Sequence, residues 1–217
     1  MSEKKEIVMN GAGVAELGFP GWPQFDPKSK AEIAEALDTG AVCYWTGHKG
    51  MEFEDKFAKW CGAKMAISCT NGTAALHIGI ATLGIGPGDE VIVPSPYWVS
   101  YYEMVRLFGG VPVVVDVSEE QGFQLAPEQL EAAITDKTKA IILNNPSNPT
   151  GAVYSKEALK AVADVCVKHD LYIISDEIFD KLIYDGAVFT SVPALGKEIK
   201  EHTILINGVS KTYAMTG

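Results

Sequence analysis

Lys211 lies in the run Ser210-Lys211-Thr212-Tyr213-Ala214-Met215-Thr216-Gly217, just past the apolar stretch Thr203 to Ile206. A lysine among small and apolar residues gives up its proton more easily than a solvated one, and a neutral amine can attack an aldehyde carbon. The plain alternative is a solvated loop charge. Asp176 follows the very apolar Leu171-Tyr172-Ile173-Ile174, which predicts a partly desolvated carboxylate. Such a group needs a cationic partner, and a protonated pyridine nitrogen is one. Asp176 could instead simply cap a helix.

Three further segments add to these two. Cys69-Thr70-Asn71-Gly72-Thr73-Ala74-Ala75-Leu76 opens a helix. Unpaired backbone N–H groups and the helix dipole favour an anion there, and Gly72 lets the backbone come close to it. The Thr73 hydroxyl can donate as well, although Thr70 or Asn71 could merely cap the helix. Trp98, in Pro94-Ser95-Pro96-Tyr97-Trp98, offers a flat face for stacking an aromatic ring, or a core contact. Asn148, in Asn144-Asn145-Pro146-Ser147-Asn148-Pro149-Thr150-Gly151, can donate its amide to a phenolate oxygen. Taken together, a phosphate cup, a ring stacker, an oxygen donor, an acid and an amine match pyridoxal 5′-phosphate group by group. Gly84-Ile85-Gly86-Pro87-Gly88 is excluded as a nucleotide loop, because it follows a helix rather than opening one.

Such residues act together only if one scaffold brings them to one place. Short runs apolar on both faces predict strands at Met65–Ser68, Val91–Val93, Val111–Val115, Ala140–Leu143, Leu171–Ser175 and Thr203–Ile206. Helical patterns lie between most of them. The clearest is Ser155 to His169, where Leu159, Val162, Ala163 and Cys166 share a face and Ser155 is placed to cap. Lys28–Leu37 and Met51–Trp60 also read as helices. Residues 1–27, rich in Gly and Pro, read as an extended arm, and residues 28–217 as one cofactor-binding large domain. Alternation of strand and helix predicts a three-layer α/β fold with a mainly parallel sheet, and ligands in such a sheet sit beyond the carboxyl ends of the strands.

Composition narrows the function classes. The chain is 47% hydrophobic and 21% charged, which suits a packed core rather than a disordered chain. A net charge of −10 without a basic run argues against nucleic acid or an anionic membrane as the main partner. Cys43, Cys61, Cys69 and Cys166 form no C-x-x-C pair and no zinc-like spacing, which points to reduced thiols. Met1 to Glu6 is polar, and no apolar run reaches the ~18 residues that span a bilayer. The expectation is a soluble, cytoplasmic protein.

On these motifs the chain resembles the fold-type I pyridoxal-phosphate-dependent aminotransferases. Pro96-Tyr97-Trp98-Val99-Ser100-Tyr101, Asn145-Pro146-Ser147-Asn148-Pro149-Thr150-Gly151, Ser175-Asp176-Glu177-Ile178 and Ser210 to Gly217 are similar to the aspartate-aminotransferase-like branch over residues 90–217. Trp45-Thr46-Gly47, Glu52 to Ala58 and Thr70 to Leu76 resemble the sugar-aminotransferase branch over residues 17–90. The resemblance implies that Gly72, Thr73 and Ser210 bind the phosphate, Trp98 stacks on the ring and Asn148 meets the ring oxygen. It implies that Asp176 pairs with the ring nitrogen, and that Lys211 forms the Schiff base and shuttles the proton. Phe179 stands where the branch has Tyr, so one bond to the ring oxygen is lost.

The resemblance further implies amino transfer between an aspartate-like or aromatic amino acid and a 2-oxo acid, and a homodimer. It places the last sheet strand and the small C-terminal domain beyond the equivalent of Gly217. The competing expectations are a non-catalytic truncated or engineered scaffold, and another reaction of the same cofactor such as β-elimination or decarboxylation.

Overall fold

A computed structural model describes residues 24–216. The arm expected over residues 1–27 therefore lies outside the described residues up to position 23. The chain divides into two compact units, Met1–Ile67 and Ser68–Gly217.

The first unit contains two helices, α1 (Pro27–Asp38) and α2 (Lys49–Cys61). Asp26 caps α1 by accepting the Ser29 N–H at 2.8 Å, and Pro27 supplies a helical φ at the first position. Gly62, at φ +63°, ends α2 in the left-handed conformation that glycine takes without penalty. Phe53, Phe57 and Trp60 form a ring ladder along α2, with centroids 5.9 and 5.7 Å apart.

In the second unit, α3 (Gly72–Thr82), β1 (Glu90–Ser95), α4 (Ser100–Leu107), β2 (Val111–Asp116), α5 (Pro127–Ala133), β3 (Thr138–Asn144), α6 (Lys156–Lys168), β4 (Tyr172–Asp176), α7 (Lys197–Glu201), β5 (Thr203–Ile206) and α8 (Val209–Thr212) follow in order. The strands form one parallel sheet in the order β2-β1-β3-β4-β5. Helices cover both faces, which makes the three layers. Ile92, Ile141, Leu143 and Ile173 point to one face and pack against Leu130 of α5 and Leu159, Val162 and Cys166 of α6. Val91, Val93, Ala140, Ile142 and Ile174 point to the other and meet Leu76 and Ile80 of α3 and Tyr101 and Met104 of α4. This two-sided burial is why the strands read as continuous apolar runs rather than alternating ones.

Five of the six expected strands are present. Met65–Ser68 is not a strand and pairs with none of the five strands. Met65 and Ile67 are 74% and 66% exposed. The Gly72 loop thus follows an irregular segment, not a strand end. The Ser155 cap is as expected, with its hydroxyl accepting the Ala158 N–H at 3.1 Å. Gly84, at φ +61°, terminates the turn after α3, in line with the reading of that glycine-rich stretch. The four cysteines are free. No helix among the described residues is long and apolar enough to cross a membrane.

Gly110 leads the chain from α4 into β2 where the backbone has no room for a side chain. A Cβ there would lie 2.7 Å from Ile85 Cγ2 and 3.0 Å from Val105 Cγ1. Gly110→Ala is expected to lower unfolding free energy by about 1–3 kcal/mol, measured by urea denaturation. An unchanged midpoint would mean that the α4–β2 corner yields without strain.

Candidate functional site

The sheet order reverses between β1 and β3. The chain moves outward to β2, then returns to the other side of β1 and continues through β4 to β5. Such a switch point leaves a crevice at the carboxyl ends of the strands. A small cleft opens there, lined by Tyr97, Tyr101, Asn144, Ser147, Asn148 and Tyr154. Neighbouring strand ends are level: Asn144 pairs with Asp176, and Asp176 with Ile206.

Asp176 is the last residue of β4 and is 4% exposed. Its Oδ2 accepts the Tyr101 hydroxyl at 2.7 Å, and its Oδ1 accepts the Ile178 N–H at 3.2 Å. Burial pushes the Asp176 carboxyl above the usual carboxylate range, and the two donors pull it partly back. Burial and the adjacent Asp176 charge raise the Tyr101 phenol far above its ordinary value, so the hydroxyl keeps its proton and donates it to the carboxylate. A carboxylate accepts about four hydrogen bonds, so two donors leave it room for another. The residues after Asp176 form turns rather than a helix, so the helix-cap alternative does not hold.

Trp98 is half-buried beside the same group, its ring edge-on to Tyr101 at 5.4 Å and 88°. Asn148 is held from behind. Its backbone N–H donates to Asn144 Oδ1 at 2.7 Å, and the Asn144 amide donates to the Asp176 carbonyl at 2.9 Å. The Asn148 side-chain amide has no partner among the described residues and lines the cleft. Asn145, 1% exposed, adds a second tie, its N–H donating to the Asp176 carbonyl at 3.1 Å. Glu177, 2% exposed, accepts the Ser175 hydroxyl and the Val192 N–H, each at 2.9 Å, and so fastens the chain near Val192 to the end of β4.

At the start of α3, Asn71 Oδ1 takes the Ala74 N–H at 2.9 Å. The cap and the anion site are therefore compatible, since the N–H groups of Gly72 and Thr73 keep no partner among the described residues. A Cβ at Gly72 would meet only Ile178 Cδ1, at 3.9 Å, and one at Gly208 would meet the same atom at 2.9 Å. Ile178 thus lies against both the α3 terminus and the loop leading to Ser210 and Lys211.

Lys211 is on α8, on the same sheet edge as Asp176, five residues beyond the partner of Asp176 in β5. It is exposed. The apolar setting expected from its small neighbours is not formed, because α8 is a short turn and nothing among the described residues packs over that side chain. The structure therefore joins Asp176, Tyr101, Trp98, Asn144 and Asn148 in one contact chain. Ile178 lies against Gly72, which precedes Thr73, and against Gly208, which leads into Ser210 and Lys211, and Lys211 makes no hydrogen bond or ion pair with Asp176. Tyr101 and Asn144 carry roles that residue types alone did not assign. Tyr101 lies on the buried stripe of α4 with Met104 and Val105, and a phenol in such a stripe needs a polar partner.

A three-layer parallel sheet with these groups at its carboxyl edge defines the large domain of a fold-type I pyridoxal-phosphate-dependent transferase. The chain belongs to the family Aminotransferase class I and II, which it matches over residues 24–217. It is 53% identical over 221 residues to an aspartate/prephenate aminotransferase of Thermus thermophilus, covering 98% of this chain and 56% of that protein. It is 41% identical over 223 residues to an asparagine–oxo-acid transaminase of Streptococcus mutans, covering 98% and 56%. Among solved structures, an aspartate aminotransferase from Rhizobium meliloti superposes with a TM-score of 0.76 at 33% identity, covering 99% of this chain and 58% of that one. An aromatic aminotransferase from Pyrococcus horikoshii gives 0.73 at 39% identity, covering 91% and 55%. The chain spans about half the length of the curated relatives it matches. The family's cofactor is pyridoxal 5′-phosphate. The donor set suits it: free N–H groups at a helix start for an anion, an unpaired amide in the cleft, and a buried carboxylate with accepting capacity left.

The buried acid makes a pH-dependent cost. Because the folded state holds the Asp176 proton more tightly than the unfolded state, stability falls as pH rises from about 3.8 through the raised folded value. Asp176→Asn removes this charge. The cofactor-free variant is expected to be more stable than the native chain near pH 7, with the gain shrinking as pH falls towards 4. Urea midpoints across that range measure it, and a variant less stable at pH 7 would contradict the assignment.

Proposed function

We propose that this chain carries the cofactor-holding half of an aminotransferase. It moves an amino group between an aspartate-like or aromatic amino acid and a 2-oxo acid, with Lys211 and Asp176 as catalytic groups. The observation that carries the reading is the placement of a buried, incompletely occupied carboxylate at the end of β4 and a lysine in the short helix that follows the adjacent parallel strand β5. The names of the relatives support the substrate class.

Bound pyridoxal phosphate supplies an aldehyde that takes up amines and a ring that delocalises the electron pair left at a substrate carbon. The chain's residues do the rest. Gly72 and Thr73 would hold the phosphate through their N–H groups and the Thr73 hydroxyl, with Ser210 adding its own. Trp98 would lie against the ring, and Asn148 would donate to the ring oxygen. Asp176 would hold a proton at the ring nitrogen, while Tyr101 and Asn144 keep Asp176 and Asn148 in place. The Lys211 amine would take up and give back the proton released at the substrate α-carbon, as base and then acid. This reading expects a homodimer in the cytoplasm, and no nucleic acid or membrane as partner.

The exposure of Lys211 favours a second reading, a chain that binds the cofactor without turnover. Borohydride reduction in the presence of pyridoxal phosphate, followed by peptide mapping, tests the site. The expected label is on Lys211 and is absent from Lys211→Ala, and a label confined to other lysines overturns the assignment. With aspartate or an aromatic amino acid plus a 2-oxo acid, the expected product is the corresponding new amino acid, reduced at least about 10²-fold in Lys211→Ala. Release of ammonia or carbon dioxide instead would indicate elimination or decarboxylation. Labelling without any product would support the second reading.

A further inference from the structure

One buried carboxylate at this sheet edge has no task in the scheme above. Asp180 is 6% exposed and lies at the far end of the turn that begins at Asp176. Its N–H donates to the Glu177 carbonyl at 3.0 Å, which fixes its place in that turn. Its Oδ1 accepts the Thr212 hydroxyl at 3.2 Å. Its Oδ2 lies 3.6 Å from the ammonium of Lys181, a side chain that is 56% exposed.

Thr212 is the residue after Lys211 and the last residue of α8. A helix of four residues has almost no stability of its own, so tertiary contacts must fix where it sits. Two such contacts stand out. Gly208 comes so close to Ile178 that no Cβ would fit without movement, and Thr212 donates to Asp180. Both partners, Ile178 and Asp180, belong to the short segment that starts with Asp176. The loop carrying the amine is therefore gauged against the loop carrying the acid.

We infer that Asp180 is a positioning residue, setting the place of Lys211 relative to Asp176 through the hydroxyl of Thr212. The inference rests on the reading of Lys211 as the amine that meets the cofactor. The physical reason is geometric. An amine must approach one carbon of a ring whose nitrogen is held at the other end by Asp176, and a misplacement of about 1 Å can cost about 10²-fold in rate. A hydrogen bond to a buried carboxyl holds such a loop better than one at an open surface.

The test uses the whole chain as native protein, as Thr212→Val, Thr212→Ser and Asp180→Ala, and as the double variant Thr212→Val with Asp180→Ala. Each is incubated with increasing pyridoxal phosphate, quenched with borohydride and mapped for label on Lys211. Thr212→Val is expected to trap label about tenfold more slowly at saturating cofactor, with a half-saturating concentration within about twofold of native. Thr212→Ser, which keeps the donor, restores the native rate. Asp180→Ala slows trapping like Thr212→Val, and the double variant is no slower than either alone. A native rate in Thr212→Val, a Thr212→Ser rate as slow as that of Thr212→Val, or additive losses in the double variant would overturn the inference while leaving the Lys211 assignment standing. Absence of label from Lys211 in the native chain would remove that assignment, and this inference with it.

Discussion

A carboxylate taken out of water must be met by donors or give up its charge. Asp176 is the point where this constraint acts on the fold. β4 is apolar on both faces because helices cover both, so its last residue ends in a desolvated place. The Tyr101 hydroxyl and the Ile178 N–H relieve part of the cost. They do not relieve all of it, because the carboxyl remains raised. An unrelieved acid at the end of a core strand weakens the empty domain, yet it suits a group that is to bind a protonated nitrogen. Functional sites are where such local inconsistency is expected.

The surroundings of Asp176 follow from the need to keep that acid still. Its carbonyl receives two donors, from the Asn144 side chain and the Asn145 backbone, which tie β3 to β4 beyond their ladder. Asn144 also holds Asn148, so Asn148 and the acid share one support. Glu177, buried and accepting from Ser175 and Val192, anchors the following turn. Loops with this many side-chain bonds are positioned by polar groups rather than by apolar packing, and each of those bonds lies at the carboxyl edge of the sheet.

The amine side is built more lightly. α8 is short and Lys211 is exposed, whereas the acid side is closed on several sides. The close approach of Gly208 to Ile178 and the Thr212–Asp180 bond link the two sides. The acid is thus held rigidly and the amine is covered loosely.

Periodicity and residue type were enough to determine the layered parallel sheet, its five strands and the Ser155 cap. These properties are local. An apolar run, a capping hydroxyl or a glycine turn has the same physical meaning wherever it folds. The segment Met65–Ser68 shows the limit, because its apolar β pattern pairs with no strand of the sheet. Tertiary structure alone decided that Tyr101, from β1's crossover helix, meets Asp176 across 75 residues of chain. It also decided that Asn144 joins Asp176 to Asn148, that Lys211 stands in the open, and that Thr212 finds Asp180. Such hydrogen bonds depend on register and loop path to within a fraction of an ångström, and no spacing along the chain encodes that distance.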